Sequence, residues 1–317
     1  MKRILVLGGS GFVGRDVCEK AARLNCRVTL PTRRREHARA VEVLPWVDVL
    51  EADIHDEASL AQLVSGHDAV VNLVAILHGD VKAFDRVHVA LVQKLAHACR
   101  ANGVSRLVHV SALGAAPDAP SLYQRSKAQG EAVLAASGLD VTVLRPSVMF
   151  GAHDHFLNLF AGLQAVLPIM PLAGADARFQ PVWVQDVAQA IINALANRTP
   201  AQTRAARLIE ACGPQVYRLR ELVQLAARLS GHPRPVWALP PALARLQARL
   251  MELAPGKTLL SRDNLDSMRV DNVASGVLPG LSALGVEPSS LLAIAPTYLL
   301  PAESDPVLVR RRLAGRL

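Results

Sequence analysis

The stretch RILVLGGSGFVGRDV, residues 3–17, decides the fold of this chain. Its first five residues are mostly apolar and predict a buried strand, whereas the segment from Phe12 onward predicts a helix. The turn between them carries Gly8, Gly11 and Gly14 in a GxxGxxG spacing. Glycine lets the backbone turn tightly and approach a pyrophosphate, and the helix N-terminus offers free N–H groups to that anion. The predicted dinucleotide contacts are Gly8, Ser10, Gly11, Phe12, Val13 and Gly14, with a purely structural turn as the alternative.

Short strand-like runs alternate with helical patterns through the first half of the chain. The runs are RILVLGG (3–9), RVTLPT (27–32), WVDVLEAD (46–53), DAVVNLVA (68–75), RLVHVSA (106–112) and DVTVLRPS (140–147). Periodic segments such as GRDVCEKAARLN (14–25) predict helices between them. The alternation predicts an α/β fold with a doubly wound parallel sheet of the Rossmann type.

The same pattern suggests how the chain divides. We predict a dinucleotide-binding domain over residues 1–155, to which a strand and a helix return around 178–198. The remaining residues, 156–317, predict a smaller, mostly helical substrate or partner domain that ends in a basic tail.

The residues after the second predicted strand bear on which dinucleotide is bound. An acidic residue there would accept hydrogen bonds from a ribose 2′-hydroxyl, whereas an arginine would meet a 2′-phosphate. The sequence has Arg33, 19 residues after Gly14, followed by Arg34, and no carboxylate precedes them at the strand end. A guanidinium pairs well with a phosphate, so we expect NADP(H) to be favoured over NAD(H). The alternative is that both arginines are solvated loop residues.

Two more strand ends are predicted to lie beside the dinucleotide. Asp53 and Ile54 follow the third predicted strand, where the adenine edge would be read. Leu73 belongs to NLVA, residues 72–75, which closes the fourth strand beneath the cofactor. Ligands of such sheets bind at the carboxyl ends of the strands, so these positions are consistent with one site.

Tyr123 and Lys127 are four residues apart in a predicted helix that follows the fifth strand. This spacing places a phenol and an ammonium on one face of the helix. The alternative is an exposed Tyr with a Lys one turn further on, which is common on helix surfaces.

These features together resemble the short-chain dehydrogenase/reductase superfamily, in its extended and atypical branches that include epimerases and dehydratases. The resemblance covers residues 1 to about 230. It rests on the glycine turn, Asp53 with Ile54, HVSA at 109–112, the YxxxK spacing of Tyr123 and Lys127, RPSVMFG at 145–151 and QPVWVQDVAQAI at 180–191. Within this superfamily the later segments are similar to the family of alpha-subcomplex accessory subunits of respiratory complex I and their bacterial relatives.

The resemblance implies roles for individual residues. In this superfamily a hydride moves between the nicotinamide and a carbon, and a proton moves to or from the oxygen on that carbon. Tyr123 would be the acid/base, Lys127 would lower its pKa and hold the nicotinamide ribose, and Pro146 would end the strand facing the nicotinamide. Ser111 is the hydroxyl that would steady the substrate oxygen, but it falls one or two positions early. A structural role for Ser111, bonding nearby backbone, is the alternative.

Composition and charge restrict the class of partner. Hydrophobic residues make up 51% of the chain and charged residues 20%, as in ordinary globular proteins. The net charge of +8 suits phosphates or anionic lipid, but aromatic residues do not alternate with basic ones, so no nucleic-acid partner is expected. The four cysteines are scattered and predict packing, and His153 and His155 lack nearby ligands, so no metal site is expected.

The hydropathy of the chain predicts its location. Apolar runs are interrupted by polar residues and prolines, so no membrane-spanning helix is predicted. We expect a cytoplasmic protein, with a peripheral position at the inner face of a membrane as the alternative.

Three apolar or basic features mark the second half of the chain. If the segment from Phe156 to Leu172 lines the cleft, a hydrophobic substrate such as a quinone, an isoprenoid or a lipid-like ketone is expected. A predicted helix carries a leucine stripe, which we expect to pack in the core, with a membrane or partner surface as the alternative. Its members are Leu243, Leu246, Leu250 and Leu253. The basic tail, Arg310–Arg312 with Arg316, is expected to be solvated, with a membrane or protein-complex contact as the alternative.

Three functions follow from these alternatives. The first is an NADP(H)-dependent oxidoreductase acting on a hydrophobic carbonyl or quinone-like substrate. The second is a non-catalytic, cofactor-holding accessory or assembly protein of a respiratory or quinone-related membrane complex. The third and weakest is a nucleotide-sugar epimerase or dehydratase. Tyr123 with Lys127 favours the first function. The second is favoured because Ser111 is followed by Ala112, Leu113 and Gly114 and not by the further serines that the resemblance leads one to expect. Arg33 argues against the third.

Overall fold

A seven-stranded parallel sheet forms the centre of the protein, in the strand order β11-β6-β5-β4-β1-β2-β3. The structure is a computed structural model that describes residues 1–196, 206–253 and 258–300. In chain order the strands are β1 (Arg3–Leu7), β2 (Arg27–Thr32), β3 (Val47–Glu51), β4 (Ala69–Asn72), β5 (Arg106–Val110), β6 (Asp140–Pro146), β7 (Met149–Phe150), β8 (Met170–Leu172), β9 (Arg178–Phe179), β10 (Val182–Trp183), β11 (Arg207–Ala211), β12 (Tyr217–Arg218) and β13 (Val236–Ala238).

Helices follow most of the strands. They are α1 (Phe12–Arg23), α2 (Arg39–Glu42), α3 (Glu57–Val64), α4 (Val81–Phe84), α5 (Leu91–Ala101), α6 (Leu122–Ala135), α7 (Leu157–Val166), α8 (Val184–Ala196), α9 (Leu219–Ser230), α10 (Pro241–Leu253), α11 (Arg262–Ser267), α12 (Leu291–Ile294) and α13 (Pro296–Leu299). Two 3₁₀ turns, Arg35–Ala38 and Leu281–Leu284, and a π-helical segment, Asp85–Ala90, join neighbouring elements.

The central sheet is buried on both faces. Ile4 and Val6 of β1 belong to the core cluster that includes residues of α1 and α8, whereas Leu5 and Leu7 belong to the opposite cluster, with residues of α3 and α5. Successive side chains of a strand point to opposite faces, so a strand covered on both sides needs a continuous apolar run. The predicted doubly wound α/β sheet and its six strands are therefore confirmed.

One strand of the sheet was not expected from the sequence. All five residues of β11 pair in parallel with β6, from Arg207 opposite Thr142 to Ala211 opposite Pro146. Helix α8 lies within the predicted return around 178–198 and packs against α1. The chain therefore comes back to the sheet twice after residue 156.

The later part of the chain builds smaller cores of its own. Phe156, Leu157 and Phe160 pack with residues of α9. Short strand pairs, β8 with β13 and β9 with β12, accompany these helices. Most apolar side chains between Phe156 and Leu172 are thus used in packing, and they supply no argument for a hydrophobic ligand.

Helix α10 does not pack as expected. Its buried residues are Ala244 and Ala248. The four leucines of the predicted stripe are between 44% and 76% exposed. The favoured interpretation, a core helix with its leucines inside, is wrong, because the small alanines form the contact with the rest of the protein. Among the described residues, no helix is long and apolar enough to cross a bilayer.

Candidate functional site

The glycine turn has the geometry of a close backbone cradle. Gly8 has a φ of +79°, and its carbonyl accepts a hydrogen bond of 3.0 Å from the N–H of Gly11. A Cβ on Gly14 would lie 2.4 Å from the Cα of Gly9 and 2.5 Å from the oxygen of Gly8. Glycine is required at both ends of the turn, at Gly8 by the left-handed backbone and at Gly14 by the close approach of helix and turn.

The turn opens at the place where strand order reverses. Strand β1 pairs with β2 on one side and with β4 on the other. A Cβ on Gly8 would lie 3.2 Å from the carbonyl carbon of Leu73, the residue after β4. In doubly wound sheets ligands bind in the crevice at such a switch point. The structure therefore brings the predicted residues Gly8 and Leu73 together.

The first residues of α1, which follow the glycine turn, are partly or fully buried. Val13 is buried and Phe12 is half-buried, and both belong to the core beside α1. Only their backbone N–H groups are available to a ligand. No side chain caps the start of α1 at Gly11. Since the first N–H groups of a helix lack intrahelical partners, this end of α1 suits an anion.

Two arginines stand free at the end of β2. Arg33 and Arg34 are exposed, and neither forms an ion pair with any residue the structure describes. The next residue, Arg35, is bound instead by Glu42 at 2.5 Å. The hydroxyl of Thr32 donates to the carbonyl of Arg34 at 3.0 Å, which fixes the backbone at this point. The pair is thus a positively charged surface at the position expected for a 2′-phosphate.

The two residues after β3 have different environments. Asp53 is exposed, and its carboxylate accepts a hydrogen bond of 2.9 Å from the N–H of His55. Ile54 is half-buried and packs against the core cluster of α3 and α5. The pKa of His55 is lowered, first by burial and then by positive neighbours that include Arg33. Thr32 at the end of β2 pairs in parallel with Glu51 at the end of β3, so Arg33 and Asp53 follow strands that end at the same side of the sheet.

Lys127 is the most completely buried charged residue of the predicted site. It is 1% exposed, and its Nζ donates a hydrogen bond of 2.8 Å to the carbonyl of Val110, the last residue of β5. Burial lowers the pKa of Lys127 to about 8, although the nearby Glu131 acts to raise it. An ammonium of this kind can change charge near neutral pH.

Tyr123 lies one helical turn before Lys127, and its environment is aromatic. The ring of Tyr123 packs edge-on against Phe84 and His88, at centroid distances of 6.2 and 5.6 Å. Burial alone raises the pKa of Tyr123 to about 12. The lowering of this pKa by Lys127 that the resemblance implied is therefore not seen.

Ser111 has a buried hydroxyl with no partner among the described residues. Its backbone N–H donates to the carbonyl of Leu144 at 2.7 Å, which fixes Ser111 at the end of β5 beside β6. The hydroxyl does not bond nearby backbone, as the structural alternative required. Pro146 lies at the end of β6, where its carbonyl accepts a hydrogen bond of 3.0 Å from Leu113. Ser111, Pro146 and Lys127 thus meet at one edge of the sheet.

His88 was not singled out from the sequence. It lies in the π-helical segment, and its Nε2 accepts a hydrogen bond of 3.1 Å from the N–H of Ile76. Its Nδ1 lies 2.8 Å from the hydroxyl of Ser126, which in turn donates to the carbonyl of Tyr123 at 2.8 Å. Burial, and secondarily Lys127, lowers the pKa of His88 to about 3. A neutral His88 thus links the loop after β4 to the helix of Tyr123.

Asp263 is the second residue that sequence reasoning missed. Its carboxylate accepts hydrogen bonds from the N–H groups of Leu122 and Tyr123, at 2.6 and 3.1 Å. Ser121 caps the same helix through its hydroxyl, at 3.1 Å from the nitrogen of Gln124. Nothing local in the sequence around Asp263 signals this contact, because the partners are 140 residues away.

Several other polar residues have structural roles. His109 is a core histidine: it is buried, and its Nδ1 lies 3.2 Å from Asn72. Asp154 is buried between the exposed His153 and His155, and its carboxylate accepts hydrogen bonds from the backbone N–H groups of its own turn. Among the described residues no three His, Cys, Asp or Glu side chains form a group that could hold a metal.

The residues at this edge of the sheet fit a dinucleotide. The backbone cradle at Gly8 and Gly14 leaves a helix end open to a pyrophosphate. The buried hydroxyl of Ser111 has no partner among the described residues, and a ligand oxygen could serve as that partner. The free arginines, Arg33 and Arg34, lie at the position expected for the adenosine ribose.

The fold and this site define a nucleotide-binding protein of the doubly wound α/β class. A model of the NAD dependent epimerase/dehydratase family matches residues 4–206. The chain belongs to this family, a part of the superfamily that the motifs resemble.

Curated relatives and solved structures extend the comparison. The chain is 31% identical over 294 residues to NADH dehydrogenase [ubiquinone] 1 alpha subcomplex subunit 9 of Rattus norvegicus, which covers 90% of the chain and 76% of that protein. It is 26% identical over 304 residues to the NADH-ubiquinone oxidoreductase 40 kDa subunit of Neurospora crassa, and this match covers 95% of the chain and 79% of that protein.

Among solved structures, the dTDP-glucose 4,6-dehydratase DesIV of Streptomyces venezuelae with NAD bound superposes with a TM-score of 0.71, at 22% identity, covering 94% of this chain and 95% of the other. MoeE5 in complex with UDP-glucuronic acid and NAD gives a TM-score of 0.69 at 18% identity, and the superposition covers 93% of this chain and 97% of the other. These likenesses show that the fold is shared.

Proposed function

We propose that this protein is an NADP(H)-binding oxidoreductase of the atypical short-chain dehydrogenase/reductase type, acting on a hydrophobic carbonyl or quinone-like substrate. The observation that carries the proposal is the buried hydroxyl of Ser111, which has no partner among the described residues and follows the carbonyl that binds Lys127. Leaving a buried hydroxyl unsatisfied costs about 1–3 kcal/mol. A site that keeps such a group favours a ligand oxygen as its partner.

Each residue of the site has a proposed role in this reaction. A bound nicotinamide supplies or accepts the hydride. Ser111 would donate a hydrogen bond to the substrate oxygen, Lys127 would hold a hydroxyl of the nicotinamide ribose, and Tyr123 would transfer the proton. Burial raises the pKa of Tyr123 to about 12, so its phenol is protonated at neutral pH. In the reducing direction this phenol would donate its proton to the carbonyl oxygen.

The preference for NADP(H) is supported by the free charges of Arg33 and Arg34. Calorimetric titration of cofactor-stripped protein with NADPH and with NADH tests it. We expect NADPH to bind more tightly and Arg33→Ala to weaken NADPH binding about 10- to 100-fold while leaving NADH binding unchanged. Arg35→Ala is the matched control, because Arg35 is bound by Glu42. If neither nucleotide binds, the cofactor proposal fails.

Two observations support the hydrophobic class of the substrate. Two curated relatives carry ubiquinone in their names. Leu77 and Val81, which follow the cofactor-facing strand β4, are 59% and 62% exposed. Oxidation of NADPH in the presence of short-chain quinones and apolar ketones tests this class. Turnover that disappears in Tyr123→Phe would support both the substrate class and the role of Tyr123.

A second function, a cofactor-holding accessory protein of a respiratory or quinone-related membrane complex, is favoured by a specific observation. Burial raises the pKa of Tyr123, whereas a catalytic tyrosine of this superfamily would need a lowered pKa. The relatives of Rattus norvegicus and Neurospora crassa are named as subunits of the NADH dehydrogenase. This function predicts that NADPH binds tightly and raises the melting temperature of the protein above that of the cofactor-free form, without turnover of any carbonyl or quinone.

A nucleotide-sugar epimerase or dehydratase is the third and weakest proposal. A cavity of about 630 Å³ lies between the β8–β9 turn, α10 and α11, and Asp176, Arg245 and Asp266 are among its lining residues. One cation beside this cavity is engaged, because Arg220 binds Asp176 at 2.6 Å. A diphosphate needs available cations. Turnover of a uridine or deoxythymidine diphosphate-sugar would overturn this ranking.

We also propose a cytoplasmic location with a peripheral contact to a membrane or a membrane complex through the C-terminal region. The basic tail that first suggested it, Arg310–Arg312 with Arg316, lies outside the described residues. The exposed leucines of α10 support a contact of this kind. Fractionation of the native cells into soluble and membrane pools, before and after a high-salt wash, tests the location.

A further inference from the structure

Helix α10 presents an apolar face to solvent instead of to the core. Two small residues, Ala244 and Ala248, are its buried positions. On the opposite side the side chains form what is here called the leucine face: Leu243, Leu246, Leu250 and Leu253, of which Leu250 is 60% and Leu253 76% exposed. Residues three and four apart lie side by side on a helix, so these leucines form one continuous stripe.

The strand that leads into α10 adds to the exposed apolar surface. Trp237 of β13 is 57% exposed and pairs with Pro171 of β8. Ile169, immediately before β8, is 51% exposed. Isolated exposed apolar residues are normal on protein surfaces, but a continuous apolar stripe along a helix marks an interaction surface.

The charges around the leucine face are arranged with the positive groups outward. The side chain of Arg262 is 63% exposed, whereas its partner Glu252 is 25% exposed. Arg245 is 67% exposed and its partner Asp266 34%. Arg249 is exposed and forms no ion pair with any described residue. The arginines near the leucine face are therefore more exposed than the carboxylates with which they pair.

We propose that the leucine face lies on an anionic phospholipid surface. An interfacial helix combines a leucine-rich stripe, flanking arginines and a nearby tryptophan, with its apolar side chains at the acyl boundary and its cations among the headgroups. The same helix carries the exposed cations Arg245 and Arg249, which suit an anionic bilayer better than a second copy of the same positive surface. The chain's net charge of +8 acts in the same direction.

The lipid contact would lie next to the candidate site. Helix α10 packs against α11, whose Asp263 binds the first turn of the helix that carries Tyr123. A hydrophobic substrate held in a bilayer would therefore reach the protein on the side where α6 begins. The lipid contact rests on the proposed peripheral location and makes its site specific, but it is independent of the proposed oxidoreductase activity, because it depends on no residue of the glycine turn, nor on Ser111 or Lys127.

Co-sedimentation with vesicles tests the proposal on the full chain. The probes are vesicles of phosphatidylglycerol with phosphatidylethanolamine, and vesicles of phosphatidylcholine alone. We expect binding to the anionic vesicles that weakens with salt, and a loss of about tenfold or more in Leu246→Glu with Leu250→Glu. The matched control is Val43→Glu with Val277→Glu, which adds the same charge at side chains 82% and 86% exposed elsewhere. Unchanged NADPH binding and melting temperature show that the variants are folded.

Fluorescence supplies a second readout. Brominated anionic lipid should quench the emission of Trp237, and the quenched component should be missing in Trp237→Phe. The proposal is overturned if the wild-type chain does not bind anionic vesicles or if both leucine and control variants bind equally. The proposal is also overturned if the leucine variant still binds vesicles while binding is abolished by the combined substitutions Arg310→Ala, Arg311→Ala and Arg312→Ala. A leucine variant that binds vesicles normally and only dissociates a dimer would overturn it as well.

Discussion

The carboxylate of Asp263 accepts a hydrogen bond of 3.1 Å from the backbone N–H of Tyr123, across 140 residues of chain. It also binds the N–H of Leu122, so it satisfies two of the donors that a helix start leaves open. A negative group at this position also interacts favourably with the helix dipole. The helix that carries the proposed proton donor is therefore held by the C-terminal part of the chain.

This contact predicts that Asp263→Ala lowers the free energy of unfolding by about 1–2 kcal/mol, the usual cost of losing a helix cap. Asp266→Ala is the matched control on the same helix. Its carboxylate is paired with exposed arginines, and such pairs contribute at most about 1 kcal/mol. Urea unfolding of both variants measures the difference. An equal loss in the two would show that Asp263 acts only through general charge.

The glycine turn predicts a second pair of variants. Gly14→Ala should abolish dinucleotide binding and destabilise the protein, because its Cβ would lie 2.4 Å from the Cα of Gly9. Gly162→Ala is the control, since no heavy atom lies within 4 Å of its added Cβ. Replacing a glycine inside α7 should raise stability by up to about 1 kcal/mol. Calorimetric NADPH titration and thermal melting measure both effects, and unimpaired binding by Gly14→Ala would refute the cradle.

Lys127 predicts a dependence of stability on pH. Burial lowers its pKa from the ordinary 10.5 to about 8, so the unfolded chain binds more protons between these values. Stability must therefore rise with pH across that window, by up to roughly 3 kcal/mol, because charged Lys127 is destabilising below about pH 8. The pKa of Tyr123 is raised to about 12, so it opposes this trend only above about pH 10.

The comparison with Lys127→Met isolates this contribution, because all other titrating groups are shared. We expect the unfolding free energy of the wild type, relative to Lys127→Met, to increase between pH 8 and pH 10. Urea titrations at several pH values measure it. A difference that stays constant over the window would show that Lys127 titrates normally in the folded protein.

The hydrogen bonds of His88 predict its tautomer. Its Nε2 accepts from a backbone N–H, so the proton of the neutral ring is on Nδ1 and is donated to Ser126. Burial lowers the pKa of His88 to about 3, so the ring stays neutral across the pH range in which the protein is studied. Nitrogen-15 NMR of labelled imidazoles detects this tautomer, and His88→Asn assigns the signal. A charged ring at pH 6 would contradict the network.

The strands and the glycine turn were predictable because their signals are local. A parallel strand buried on both faces needs a continuous apolar run, and β1 shows one immediately before GxxGxxG. Strand β11 carries Arg207 and Glu210 among its five residues, so its sequence lacks such a run. It joins the sheet as an edge strand, where pairing with β6 on one side is sufficient.

The sequence alone determined the doubly wound sheet, the dinucleotide turn and the placement of Tyr123 and Lys127 on one helix, because each depends on residues close together in the chain. Only the tertiary structure decided that Tyr123 packs against His88, that Asp263 holds α6 and that the leucines of α10 face outward. It also decided that the buried hydroxyl of Ser111 has no partner in the part of the chain that the structure describes. A helix periodicity shows that two faces differ, but which face is covered depends on elements that are distant in sequence.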